Sequence, residues 1–165
     1  MDAWLRENDL GTLEGEGSGL TENNEIDFCD LEFELYEVTP ETLDKVAAKL
    51  EALGAPKGSK LRWDDQTKPI GKLEGLAIYL NGTDLAEEVY AKSDVNLLAG
   101  EIQNALTGKG FIGSSWNGRT ETALYLYGPS FDDLKTSIAD LLASHPLCEK
   151  CRVVQIAPRP EGDEI

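Results

Sequence analysis

Positive charge is scarce where the chain begins: residues 1–42 hold thirteen Asp or Glu and a single base, Arg6, a net of −12. Over all 165 residues, 15 Lys or Arg face 31 carboxylates, giving a formal charge of −16. Phosphate backbones are bound by Lys and Arg that displace counterions, so this balance argues against a nucleic-acid partner. It argues against anionic membrane surfaces for the same reason. Long apolar runs are missing as well, with none near the ~18 residues of a spanning helix. The opening Met1-Asp2-Ala3-Trp4-Leu5-Arg6-Glu7 lacks the basic and apolar regions of an export signal. Cysteine is sparse and odd in number, three, which does not suggest a secreted disulfide scaffold. A cytoplasmic location with no membrane partner is the expectation. Histidine occurs once, His145, and no Gly-x-Ser-x-Gly elbow accompanies it.

What is present suits one folded domain. Residues 1–25 show little apolar periodicity, and Gly11-Thr12-Leu13-Glu14-Gly15-Glu16-Gly17-Ser18-Gly19 reads as a flexible acidic loop. Residues 26–157 form the single α/β domain, and 158–165 read as a tail. Within the body, Leu31, Phe33 and Leu35 alternate with Glu32, Glu34 and Tyr36, the period of a half-buried strand. Thr39 and Pro40 open a helix whose stripe is Leu43, Val46, Ala47, Leu50 and Leu53. A short strand is expected at 60–63, another at 76–80, a helical turn at 85–91 and a helix over 94–106. Strands at 111–116 and 123–127 follow. Ser130 and Asp133 cap one further helix, through Leu134, Ile138, Leu141 and Leu142, before a last strand at 152–156.

Ala77-Ile78-Tyr79-Leu80-Asn81-Gly82 is echoed 46 residues later by Ala123-Leu124-Tyr125-Leu126-Tyr127-Gly128. The expected fold class is α+β, a two-layer sandwich. Its mixed or antiparallel sheet carries about three helices on one face, an extended ferredoxin-like order βαββαββαβ.

Motifs for chemistry are weak. His145, Cys148 and Cys151, joined by Cys29, contain the residue types of a Cys₃His zinc site. Closed zinc sites draw ligands from two knuckles, and only one exists here. A redox CxxC needs an electropositive setting, yet these cysteines follow a helix, where the dipole end is negative. The Asp and Glu pairs are explained by caps and solvated faces, and the glycine-rich stretch lacks the strand that precedes a phosphate loop. No metal and no cofactor is expected.

What remains is surface. If helices cover one side of the sheet, Glu32, Glu34, Tyr36, Tyr79, Tyr125 and Tyr127 fall on the other, an aromatic and acidic face suited to a basic protein. In size, acidity and lack of catalytic groups the chain looks like the small bacterial immunity or inhibitor proteins that neutralise a toxin. That is a likeness of type rather than of motif. The leading expectation is thus a non-enzymatic protein-binding module. The alternatives are a small-molecule site or small enzyme near Trp116, Asn117 and Arg119, with Arg119 as an anion anchor, and a homodimeric structural subunit.

Overall fold

The computed structural model describes residues 1–159. They form two compact units that divide between Leu53 and Gly54.

The first unit comprises α1 (Asp2–Glu7), β1 (Gly11–Leu20), β2 (Ile26–Leu35) and α2 (Pro40–Ala52). The stretch read as a flexible loop is strand β1, paired antiparallel with β2. The reason lies in the spacing of its glycines. Gly15, Gly17 and Gly19 recur every second residue and stand opposite Glu32, Asp30 and Phe28. A side chain at Gly19 would run into the Phe28 ring, and a Cβ at Gly17 would sit 3.1 Å from the Asp30 carboxylate. These glycines therefore make room for large neighbours across the ladder, the arrangement by which an aromatic covers a strand glycine.

The Asp2 carboxylate joins α1 to β1 by accepting from Arg6 at 2.8 Å and from the Leu13 N–H at 3.0 Å. In α2 the Thr39 hydroxyl accepts from the Thr42 N–H at 3.2 Å, and Leu43, Val46 and Ala47 are buried, as the sequence pattern requires.

The second unit begins with a hairpin, β3 (Ser59–Trp63) and β4 (Gln66–Ile70). Its two-residue turn is Asp64-Asp65, with Asp64 at φ 46°. Positive φ at a short hairpin turn matches the right-handed twist of the strands. The main sheet has four strands, β5 (Glu74–Asn81), β6 (Phe111–Asn117), β7 (Glu121–Gly128) and β8 (Arg152–Ala157), in the order β6-β7-β5-β8. All neighbours are antiparallel.

Helices α3 (Glu87–Lys92) and α4 (Val95–Ala105) connect β5 to β6. Helices α5 (Phe131–Ser137) and α6 (Ala139–Ser144), with a 3-10 turn at Pro146–Cys148, connect β7 to β8. The single helix expected after Ser130 is thus two, separated at Ile138 (ψ 1°).

These connections lie on one side of the sheet. Leu98, Ile102, Leu106, Leu134, Ile138 and Leu147 pack there on Leu76, Ile78, Leu80, Leu124 and Leu126. Completely burying one such side chain contributes ~1.5–3 kcal/mol, so this layer is the main source of cohesion in the unit.

The α+β class holds: the described residues contain six α-helices and eight strands, all in antiparallel sheets, none closed into a barrel. The single sheet of six strands expected from the nine-element order is not formed. The strand expected over 30–36 and the strand expected at 60–63 each pair with a local partner instead, β1 and β4.

The two echoed segments became adjacent central strands. Ile78 faces Leu124, and on either side of that pair Ala77 faces Tyr125 and Tyr79 faces Ala123. Each alanine of one repeat therefore receives the tyrosine of the other.

Candidate functional site

The tyrosines expected on an open sheet face are not open. Tyr79 and Tyr125 are 6% and 7% exposed and cluster with Ala77 and Ala123. Trp116, Tyr127, Val154 and Ile156 pack around them. The Arg152 guanidinium lies 3.5 Å from the centre of the Tyr79 ring. Glu121 grips it with two hydrogen bonds of 2.8 and 2.9 Å. That grip holds the Glu121 carboxyl below its usual range, with burial opposing. Tyr127 is half-buried, its ring centre 6.2 Å from that of Phe111. A sheet with small residues opposite large ones buries its aromatics by interdigitation, and the Ala–Tyr rows do this here.

Glu32, Glu34 and Tyr36 belong to the other unit, so the six residues expected on one face are carried by two separate sheets. All three are exposed, Tyr36 by 59%. They are not alone. Leu20, Ile26, Phe28, Leu31 and Val38 are also exposed, each by 43–57%. The hairpin end is closed by Thr21, whose N–H donates to the Glu25 carbonyl at 2.8 Å, with Asn24 at φ 60°. Between Gly11 and Glu37 the chain has nine carboxylate residues and no base. Apolar side chains thus stand in a field of one sign.

The zinc set does not assemble. Cys29 is exposed on β2 in the first unit, whereas Cys148 and Cys151 lie in the second. The His145 Nδ1 accepts from the Leu147 N–H at 3.2 Å, which caps the 3-10 turn. Among the described residues no group of three or more His, Cys, Asp or Glu is arranged to hold a metal. Burial pushes the Cys148 thiol up to about 11, with Cys151 adding to the effect. Such a thiol stays protonated and weakly nucleophilic, unlike a redox-active one.

The second unit also has a cleft of about 350 Å³ between α4 and strands β6 and β7. Ser115 pairs with Leu124 and Asn117 with Thr122, so these four lie on the helix side of the sheet. Val95, Asn96 and Ala99 of α4 face them across the gap.

No family model, curated protein or solved structure matches the chain.

Asn117 is therefore part of a cleft, but Trp116 packs on the opposite side of the sheet with the tyrosines. Arg119 is exposed in the turn after β6. The three residues of that expected site are thus dispersed. Sequence reasoning missed Leu20, Ile26 and Phe28 on the hairpin and Ser115, Thr122 and Asn96 in the cleft. The period-two glycines opposite Phe28 are the signal that reveals the hairpin. Ser115 and Thr122 carry no comparable signal, because a small polar residue in a strand reads the same in a cleft or in solvent.

Proposed function

We propose that the chain is a non-enzymatic acidic module that binds a basic protein, and that the β1–β2 hairpin is its contact surface. One observation carries this reading: the exposed apolar side chains of the hairpin, Phe28 above all, sit within a segment of nine carboxylates and no base. Phe28 shares the hairpin face that carries Asp30 and Glu32, and exposed apolar surface rimmed by polar groups marks contact sites. The surrounding charge of one sign steers a partner of the other sign and rejects like-charged competitors. An inhibitor or immunity role, in which an acidic surface neutralises a basic protein, has these requirements. A homodimer through the same hairpin is disfavoured, because a two-fold contact would set nine carboxylates against nine. For the second unit, the strand order and the two strand–helix–strand crossovers support a ferredoxin-like reading, without the third repeat.

The test is affinity capture at low salt from the source cell, comparing the unaltered chain with Phe28→Asp and with Glu32→Lys plus Glu34→Lys. A basic protein retained by the unaltered chain should lose at least about tenfold in affinity with Phe28→Asp, as for an apolar hot spot. The charge-reversed pair should bind more slowly and lose its salt dependence. A partner indifferent to both variants refutes the hairpin as the surface.

A further inference from the structure

The cleft between α4 and β6 is distinct from the hairpin, and its chemistry is of another kind. In a chain of net charge −16, none of the ten residues lining it is charged. Its polar residues carry hydroxyls, on Ser114, Ser115 and Thr122, and carboxamides, on Asn117 and on Asn96, whose Nδ2 donates to the Asp94 Oδ1 at 3.1 Å. Each is both donor and acceptor. Beneath them the floor is apolar, built on Leu124, which is 3% exposed. Elsewhere this helix–sheet layer is filled by Leu and Ile, but here Ala99 and Ser115 leave a gap.

The gap is built into the backbone. β6 carries a bulge between Ile112 and Ser114, and a Cβ on Gly113 would stand 2.8 Å from the Tyr127 ring. Bulges re-aim the side chains that follow, and strand glycines mark close approaches. The Ile112 N–H is turned away from β7 and donates to the Gln103 Oε1 at 3.0 Å. That bond fixes the edge strand to α4 on one side of the cleft.

We infer that this cleft binds a small, uncharged, hydroxyl-rich molecule of the polyol or monosaccharide class. Anions and metal ions find no charge to pair with among the lining groups. A purely apolar ligand would strand the hydroxyls and the Asn117 carboxamide, each costing ~1–3 kcal/mol if buried unpaired. A hydroxylated ring satisfies them along its rim and lays its C–H face on Leu124. The volume is at the small end of ligand sites, which start at ~300 Å³. Binding is accordingly in the millimolar range, as for ligands of about a dozen heavy atoms.

Amide chemical shifts of the whole chain test this, with glycerol, myo-inositol and D-glucose as probes. Glucose 6-phosphate, glucuronate, uridine and an uncharged blocked tripeptide serve as counterparts. A neutral polyol or sugar should produce saturable shifts at Asn96, Ser115, Asn117 and Thr122. Ala99→Leu, which fills the cleft, should abolish them, and Thr122→Val should weaken them several-fold with the remaining spectrum unchanged. Four results overturn the inference: no saturable shift from any neutral hydroxylated probe, shifts unaltered in Ala99→Leu, shifts confined to the charged probes, or shifts confined to uridine or the peptide. A peptide response would instead mean strand addition at the β6 edge.

Discussion

The central seam of the four-stranded sheet gives a quantitative test of the packing. Ala123 is fully buried and faces Tyr79, which is 6% exposed and carries the Arg152 guanidinium on its ring. Tyr79→Ala removes a buried aromatic, ~3–4 kcal/mol by analogy with other large-to-alanine changes. It also forfeits the cation–ring contact, a further ~0.5–1 kcal/mol at a partly exposed site. Ala123→Tyr forces a ring into a full layer, ~2–3 kcal/mol from overpacking. Acting independently, the two would cost about 5.5–8 kcal/mol together. If the row is a matched pair, the double variant restores one tyrosine and one alanine to it. It should then cost only ~4 kcal/mol, the residue being the lost Arg152 contact and imperfect repacking, for a coupling of ~1.5–4 kcal/mol. Urea unfolding of the four proteins, followed by circular dichroism with a common slope, measures this. Additivity within ~0.5 kcal/mol would refute the interdigitated seam.

Two further outcomes are expected. The Glu74 carboxyl is lowered from its ordinary 4.5 by Lys57 and the Phe131 N–H. Glu121 is lowered from the same value by Arg152. The folded chain thus holds fewer protons at these sites than the unfolded one. Their stabilisation is complete above the ordinary carboxylate range and is lost as pH falls through the lowered values. Arg152→Met should flatten that acid-side fall in the urea midpoint, and an unchanged profile would count against the pairing. Among the thiols, Cys29 is exposed, Cys151 half-buried and Cys148 buried. Ellman's reagent should therefore modify Cys29 at once and Cys148 only at the rate of unfolding, whereas prompt modification of Cys148 would contradict its burial.

The sequence was legible where a local rule and the tertiary fold agreed. Thr39-Pro40, Asp94 and Ser130 each cap the helix they were expected to open. The apolar runs Leu76–Leu80 and Ala123–Tyr127 are legible as strands, and burial on both faces is what makes such runs continuous. That same double burial undid the open tyrosine face. A tyrosine in such a run looks identical whether solvent or Ala123 lies over it, and only the pairing register decides. β1 and β4 were missed for a shared reason. Glycine in one and Pro69 in the other are unfavourable inside wide sheets, but in two-stranded ladders every strand is an edge, where both are tolerated. The cleft was illegible because it is defined by what its residues fail to fill.

The glycine column of β1 has a consequence for how the hairpin can change. Along the stretch where Gly15, Gly17 and Gly19 stand, the side chains on that face come from the facing residues Glu32, Asp30 and Phe28. That side of the hairpin is written by one strand, and the other is a blank margin. In an ordinary ladder, replacing a surface residue demands accommodation from its cross-strand neighbour. Here each position on β2 can be rewritten by itself, provided the margin stays blank. A surface of this kind can take on a new charge pattern one substitution at a time, without passing through a mismatched pair.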